Sequence, residues 1–273
     1  MDHKLPSYAA RLDAMHSALV DDFRRLVQRI PLSHSATALD AGCGDGFYTE
    51  LLAERLPGGC AIALDNSPSY LEAARGRLGP RIAAGRARVV EGDVTALPFD
   101  DGSLDAVWSG HSMQSYDSLP EVMAEFYRVL RPGGVLAVLE TDNLHSIMLP
   151  WPPSLELAVK QAERRLMGSV DDRMGAYFPR YATGLFRGAG FEGLHKHHEL
   201  IHRTGPLRGP IHAYVQLYLD DIAERTAEPL TEEQQRAVAE FARIFAQPSE
   251  DMYFSSLQVL MTARRPGDAS GSA

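Results

Sequence analysis

The sequence predicts an α/β protein built around a mostly parallel sheet. Short apolar runs recur between residues 36 and 140, and segments with helical spacing of apolar residues separate them. This alternation is typical of βαβ units, whose strands lie parallel. The runs are nearly continuously apolar, as expected for strands that helices cover on both faces.

The composition is that of an ordinary globular protein. The 273 residues are 45% hydrophobic and 23% charged, enough for a substantial core. The formal charge of −9 argues against nucleic acid as the main partner, because phosphate binding needs basic surface. Cys43 and Cys60 suggest neither a disulfide framework nor a zinc site. With no apolar leader and no membrane-spanning window, we expect a cytoplasmic protein without membrane attachment.

The first half of the chain predicts regular elements in order. Pro31 ends the first helix, and Ser67-Pro68 supplies an N-cap and a first helical residue. The predicted elements are a helix over 9–30, a strand at Ala36–Asp40, a helix at Phe47–Leu56, a strand at Cys60–Leu64, a helix from Ser67-Pro68 to Gly79-Pro80, strands at Arg88–Glu91 and Leu104–Ser109, a helix at Leu119–Leu130, a turn at Pro132-Gly133-Gly134 and a strand at Val135–Leu139.

After Glu140 the regular alternation breaks down. Two less regular regions interrupt it, and the chain ends in a Gly- and Ser-containing tail over 266–273 that we expect to be disordered. The predicted elements are a helix at Leu155–Met167, a turn over 171–175, a helix at Pro179–Ala189, a strand at Gly193–Ile201, helices at Ile211–Ala223 and at Glu232–Phe245 (the latter capped by Thr231), and a strand at Met252–Ala263.

A glycine loop links the first of these strands to its helix. In Asp40-Ala41-Gly42-Cys43-Gly44-Asp45-Gly46 three glycines alternate with other residues. Glycine tolerates positive φ and lets a ligand approach the main chain, and the helix that follows offers unpaired N–H groups. Dinucleotide sites have G-x-G-x-x-G instead. That spacing, and an Asp40 carboxylate that would repel a pyrophosphate, speak against the alternative of an NAD-dependent oxidoreductase. They favour a cationic ligand such as S-adenosylmethionine (SAM).

Polar residues stand at the carboxyl ends of four successive predicted strands: Asp40, Asp65, Asp93 and Ser109. Ligands of open parallel sheets bind outside these ends. Asp65 follows the glycine loop by about 20 residues, the separation at which a carboxylate takes the ribose hydroxyls of a nucleotide. Each residue alone could be a helix cap or turn residue, but together they predict a nucleotide-type site.

Several motifs between Ala36 and Glu140 resemble those of the class I SAM-dependent methyltransferases. They are Asp40-x-Gly42-x-Gly44-x-Gly46, Ala63-Leu64-Asp65-Asn66-Ser67, Glu91-Gly92-Asp93-Val94-x-x-Leu97-Pro98-Phe99, Ser103-Leu104-Asp105-Ala106-Val107 and Val129-Leu130-Arg131-Pro132-Gly133-Gly134. Within that class the stretch resembles the group that contains the ubiquinone and menaquinone biosynthesis C-methyltransferases and many small-molecule O- and N-methyltransferases.

The resemblance implies a cofactor site for SAM, with S-adenosylhomocysteine as product. The glycine loop would take the methionine end, Asp65 the ribose, and Asp93 the adenine amino group beside the backbone N–H of Val94. Ser109 and Gly110 would line the methionyl side. The implied cofactor-binding residues are Asp40, Gly42, Gly44, Gly46, Asp65, Asn66, Asp93, Val94, Ser109 and Gly110.

The resemblance also implies the architecture. It predicts a Rossmann-like, doubly wound, seven-stranded sheet with its last strand antiparallel, which agrees with the seven predicted strands. Residues 1–265 would form one domain, with lid insertions at about 143–178 and 205–250 that carry acceptor specificity. The helix over 9–30 would either close over the cofactor or pack on the sheet.

The acceptor side is less defined by the sequence. His111, just after the fourth strand, is a candidate general base, and a structural role for it is an equal alternative. The candidate acceptor-binding residues are His145, Trp151, Tyr177 and Tyr214, although scattered aromatic residues are more often core. We expect methyl transfer to O or N, and less readily to C, of a small metabolite. A SAM-binding protein without catalysis remains an alternative, and a homodimer remains open.

No metal site is expected. The histidines of the sixth strand lack an acidic or cysteine partner at ligand spacing, so a polar strand surface is the better interpretation. These histidines are His195, His197, His198 and His202.

Overall fold

The computed structural model describes residues 9–166 and 174–267. Most of the predicted turn over 171–175 and of the predicted tail over 266–273 lies outside these residues. The helices are α1 (Ala9–Gln28), α2 (Phe47–Arg55), α3 (Pro68–Ala83), α4 (Leu119–Val129), α5 (Pro153–Leu166), α6 (Phe178–Gly188), α7 (Pro210–Arg225) and α8 (Glu232–Phe245), with 3-10 turns at Met113–Ser115 and Met174–Tyr177. The strands are β1 (Thr37–Ala41), β2 (Cys60–Asp65), β3 (Ala87–Glu91), β4 (Leu104–Gly110), β5 (Leu130–Thr141), β6 (Glu192–Thr204) and β7 (Tyr253–Arg264).

The seven strands form one sheet in the order β3-β2-β1-β4-β5-β7-β6. The pairs from β3 to β5 are parallel, whereas β7 runs antiparallel to both of its neighbours. This confirms the predicted Rossmann-like sheet with its last strand antiparallel. The strand order reverses between β1 and β4, and ligands of such sheets bind beside that point.

Helices cover both faces of the sheet because successive strand residues point to opposite sides. On β5, Leu136 and Val138 pack with α4 and α6, whereas Val135, Ala137 and Leu139 pack with α1, α2, α5, α7 and α8. The near-continuous hydrophobicity of the strands therefore reflects two buried faces.

Two predicted boundaries are wrong. The chain does not leave α3 at Gly79-Pro80, since the helix continues to Ala83 with Pro80 inside it. The residue before a proline is normally forced out of the helical region by its Cβ, and Gly79 has none. The turn predicted at Pro132-Gly133-Gly134 lies within β5 as a bulge. There the pairing register with β4 shifts, and Gly133 takes a φ of 76°.

The helices of the irregular segments form a layer with α1. Helix α7 packs on α1 and α8, and α5 packs on α8. Ion pairs fasten α1 to this layer and to the sheet: Arg11 pairs with Asp221 of α7 at 2.9 Å, and the buried Asp22 pairs with Arg203 of β6. Helix α1 is thereby held beside the glycine loop. No helix in the described part of the chain is long and apolar enough to span a bilayer.

Candidate functional site

The glycine loop runs from β1 into α2 at the carboxyl edge of the sheet. Gly42, Gly44 and Gly46 have φ values of 69°, 52° and 82°, which other residues adopt only with strain. The N–H groups of Gly42 and Cys43 both donate to the carbonyl of Leu64 on β2 at 2.9 Å. The loop is thus fixed against the neighbouring strand, and its three glycines have the backbone geometry for which the sequence selects them.

Asp65, at the end of β2, joins the loop to the next helix. Its Oδ2 accepts from the N–H of Gly44 and its Oδ1 from the N–H of Ser67, both at 2.9 Å. A Cβ at Gly44 would have no atom within 4 Å, so a ligand can lie directly against this part of the main chain. Asn66, next in the chain, is exposed. The partly buried Asp65 therefore borders open space beside the loop.

Asp40 lies beneath the loop rather than on its open side. It is 1% exposed, and Thr49 of α2 donates its hydroxyl to Oδ2 at 2.6 Å. Burial raises the pKa of Asp40 to about 7, with the Thr49 hydrogen bond opposing the shift and the carboxylate of Asp65 adding to it. Its predicted role toward the cofactor stays a prediction, and this placement makes that role an electrostatic one.

Asp93 and Val94 follow β3 at the same edge. Asp93 is exposed, and its Oδ1 accepts from the backbone N–H and the hydroxyl of Thr95 at 2.8 and 2.7 Å. These hydrogen bonds lower the pKa of Asp93, so the group is a carboxylate near neutral pH. Its predicted contact with the adenine amino group stays a prediction.

Ser109 and Gly110 end β4 next to the loop. Ser109 is buried, with its Oγ 3.3 Å from Ser112 Oγ. A Cβ at Gly110 would come within 2.8 Å of both the Trp108 indole nitrogen and the Tyr48 ring. Only glycine fits here without displacing an aromatic side chain. Tyr116 lies over the other end of the loop and donates to the carbonyl of Ala41 at 3.0 Å.

His111 occupies the centre of a hydrogen-bonded chain. Its Nδ1 lies 2.9 Å from the Tyr48 hydroxyl and its Nε2 lies 2.9 Å from Gln258 Oε1. Because the Gln258 amide nitrogen donates to Ser256, Gln258 offers its oxygen to His111. Nε2 therefore carries the proton, and Nδ1 accepts from Tyr48.

This arrangement limits His111 as a general base. Burial lowers its pKa to about 4, although the hydrogen bond to Gln258 opposes the shift. Its basic nitrogen is already engaged by Tyr48. The general-base hypothesis stays a prediction, and it requires Tyr48 to release Nδ1. The φ of 54° at His111 shows that the surrounding hydrogen bonds hold this residue in a left-handed conformation.

The predicted acceptor-binding residues do not form one cluster of contacts. Trp151 stacks on Phe241 of α8 at 4.3 Å between ring centroids, which places it in the helical layer. His145 is exposed at the start of the segment after β5. Tyr177 and Tyr214 are buried, and burial raises the pKa of each. Their predicted roles remain untested, and the core interpretation describes Trp151 well.

The histidines of β6 are engaged locally. His197 pairs with Glu199 at 3.0 Å, and His202 with Ser255 at 2.7 Å. The described residues contain no group of three or more His, Cys, Asp or Glu side chains that could hold a metal ion.

Sequence reasoning missed four side chains beside the loop. His16 of α1 stacks on Phe47 at 3.9 Å, Tyr48 bonds His111, and Gln258 of β7 holds His111 from the other side. Trp108 packs on Tyr48. Tyr48 was detectable, since it is the second residue of a helix that starts at the ligand loop. His16 and Gln258 are brought there only by tertiary packing.

Comparisons with known proteins agree with this geometry. A family model described as a methyltransferase domain matches residues 39–138, which include the glycine loop and the strand-end residues through Ser109. A demethylmenaquinone methyltransferase of Symbiobacterium thermophilum is 33% identical over 168 residues, covering 56% of this chain and 67% of the relative. A malonyl-[acyl-carrier protein] O-methyltransferase of Enterobacter lignolyticus is 36% identical over 129 residues, covering 46% of this chain.

The chain spans about half the length of the latter relative, 48%. Among solved structures, geranyl diphosphate methyltransferase in complex with SAM superposes with a TM-score of 0.51 at 20% identity, covering 97% of this chain and 92% of that one. At this identity the likeness concerns the fold. The family model matches the part of the chain where the loop and the strand-end residues lie.

Proposed function

The chain belongs to the class I SAM-dependent methyltransferases, and we propose that it transfers a methyl group to an oxygen or nitrogen atom of a small molecule. One observation carries the proposal: the Asp65 carboxylate at the end of β2 accepts the N–H of Gly44 in the D-x-G-x-G-x-G loop. This arrangement leaves open space at Gly44 for a ligand, with the Asp65 carboxylate beside it, and the guanidinium of Arg77 is paired with the neighbouring Asp45.

The residues at the site fit SAM. A Cβ at position 42 would clash with Tyr116, and a Cβ at position 110 would clash with Trp108. Glycine at both positions avoids these clashes. We assign Asp65 to the ribose hydroxyls, Asp93 and Val94 to the adenine, and Ser109 and Gly110 to the methionine end. Asn66 borders the ribose side. Asp40 attracts the cationic end through its charge when ionised.

SAM supplies an electrophilic methyl group on a sulfonium. The protein's part is to orient the acceptor in line with that group and to exclude water. The aromatic side chains around Tyr48 and the packing of α1 over the loop exclude water. A cytoplasmic location and a role in small-molecule biosynthesis complete the proposal, and the similarity to a demethylmenaquinone methyltransferase supports the second part.

Calorimetric titration with SAM, S-adenosylhomocysteine and NADH tests the cofactor. We expect binding of the first two and none of NADH, and binding of NADH alone would refute the proposal. Asp65→Ala should weaken SAM binding at least tenfold, while circular dichroism shows a folded protein.

Asp105→Ala is the matched control for Asp65→Ala. Asp105 also accepts a backbone N–H, that of Thr37 at 2.7 Å, but at the amino ends of β1 and β4, where it also pairs with Arg131 at 2.6 Å. This variant should keep its SAM affinity. An Asp65→Ala variant that binds SAM as the wild type does would contradict the ribose assignment.

A further inference from the structure

Two buried polar side chains near the glycine loop lack hydrogen-bond partners. His16 is 5% exposed, and neither of its ring nitrogens has a hydrogen-bond partner, although Nδ1 lies 4.0 Å from Asp45 Oδ1; the indole nitrogen of the fully buried Trp108 also has no hydrogen-bond partner. Buried polar groups in proteins are nearly always hydrogen-bonded, so each exception requires an explanation. A bound molecule that supplies the missing partners is such an explanation.

The two unpartnered groups flank one tyrosine. The ring of His16 lies 5.5 Å from that of Tyr48, and the ring of Trp108 lies 5.2 Å from it on β4. Tyr48 donates its only hydroxyl proton to His111, so its oxygen offers lone pairs alone to any further partner. Tyr48 and Phe47 directly follow the glycine loop, which puts this cluster next to the proposed methionine end of SAM.

The cluster is aromatic. Among the described groups that affect the pKa values of its members, no cation is without an acidic partner. Phe23 contacts both Tyr48 and His111, at 5.6 and 5.5 Å between rings. Burial lowers the pKa of His16, which is therefore neutral near pH 7. Arg77, the arginine that acts on His16, is paired with Asp45 at 2.5 Å.

Among the described residues that act on Tyr48, none is a free cation. Asp40, Asp45 and Glu140 affect its pKa. However, Asp45 is paired with Arg77, and burial raises the pKa of Asp40 to about 7 and that of Glu140 to about 8. An acceptor carboxylate or phosphate buried here would lose its hydration without a free cation to pair with. An uncharged hydroxyl can instead accept from the Trp108 N–H and exchange a hydrogen bond with His16, which has one donor and one acceptor nitrogen when neutral.

We propose that His16, Tyr48 and Trp108 line the acceptor side of the site and select an uncharged hydroxyl compound with an apolar body. This inference rests on the proposed methyltransferase function. It places α1 in the binding site, and it sets the acceptor of this chain apart from carboxylate acceptors.

The test uses two probes with the same naphthalene body, 1-naphthol with an uncharged hydroxyl and 1-naphthoate with a carboxylate. Each is titrated into the full-length protein saturated with S-adenosylhomocysteine. We expect naphthol to bind at least tenfold more tightly than naphthoate. His16→Leu should weaken naphthol binding about tenfold and leave the affinity for S-adenosylhomocysteine unchanged.

His212→Leu is the matched control, since His212 also stacks on a phenylalanine, Phe245 at 5.7 Å, but on α7 and α8. It should leave naphthol binding unchanged. His16→Leu should not lower the melting temperature, because it removes a buried polar group that has no partner.

Each outcome decides between the claims. Failure of S-adenosylhomocysteine to bind would overturn the proposed function itself. If that ligand binds, then naphthoate binding as tightly as naphthol, no naphthol binding, or an unaffected His16→Leu variant would overturn the present inference alone.

Discussion

The buried Asp40 makes a prediction about stability that can be worked out from its surroundings. Its carboxyl group is 1% exposed and has one side-chain partner, Thr49. Burial raises its pKa from the ordinary value of 3.8 to about 7. Asp40→Asn keeps an oxygen that can accept from Thr49 but removes the titration, so the variant isolates the effect of the charge.

The sign follows from proton binding. Between pH 3.8 and 7 the folded state holds a proton on Asp40 that the unfolded chain releases, so the free energy of unfolding falls as the pH rises through this window. A shift of about 3 pKa units corresponds to about 4 kcal/mol, of which about 2.5 kcal/mol falls between pH 5 and 8. His111 acts in the opposite direction, because its lowered pKa costs stability as the pH falls. The comparison must therefore be with the variant at each pH.

Urea unfolding of wild type and Asp40→Asn at pH 5, 6, 7 and 8, followed by circular dichroism, measures this effect. We expect the variant to gain about 2.5 kcal/mol relative to wild type from pH 5 to pH 8. Asp251→Asn, which changes an exposed carboxyl group, should show no such trend. A stability difference for Asp40→Asn that does not depend on pH would refute the assignment of a raised pKa to Asp40.

Two further predictions concern the loop and His111. Gly42→Ala should destabilise the protein by about 2 kcal/mol or more, because a Cβ would meet the Tyr116 hydroxyl at 2.6 Å. Gly85 has the same φ of 69° but open space where a Cβ would lie, so Gly85→Ala should lower the free energy of unfolding by only about 1 kcal/mol. Equal losses of unfolding free energy for the two variants in urea would contradict the steric argument. His111 should stay neutral until the pH falls to about 4. An NMR titration of labelled imidazoles, with the His111 signal assigned through the His111→Gln variant, measures this. Titration of that signal near pH 6.5 would contradict the burial of His111 against Tyr48.

The fold was predictable because local patterns and global constraints agree in the first half of the chain. The glycine loop, the strand at Cys60–Asp65 and the N-cap at Ser67 each signal a boundary within a few residues. The errors arose where a breaker residue is tolerated. Pro80 stays inside α3 because Gly79 precedes it, and Gly133 forms a bulge because β5 re-pairs with β4 after it. A proline or glycine marks a boundary only if the neighbouring residues cannot absorb its effect.

The strand-end residues of the candidate site were predictable for a different reason. In a parallel sheet the carboxyl end of every strand lies on one edge, so positions in the sequence translate directly into one place in space. Asp40, Asp65 and Ser109 lie at that edge as expected. The sequence does not say how deeply each side chain is buried. That depth makes Asp40 a group beneath the loop and leaves Asp65 beside open space.

The proposed acceptor side and the residue that holds His111 could not be predicted in this way, because their residues come from separate parts of the chain. His16 lies on α1, Tyr48 on α2 and Gln258 on β7, and no spacing in the sequence relates them. Their meeting depends on α1 packing over the loop and on β7 inserting between β5 and β6. The family model matches residues 39–138, which exclude His16 and Gln258. The matched segment contains the proposed cofactor-binding residues together with Tyr48 and Trp108. His16 of the proposed acceptor side lies outside it, so His16→Leu tests acceptor specificity more directly than changes in the glycine loop.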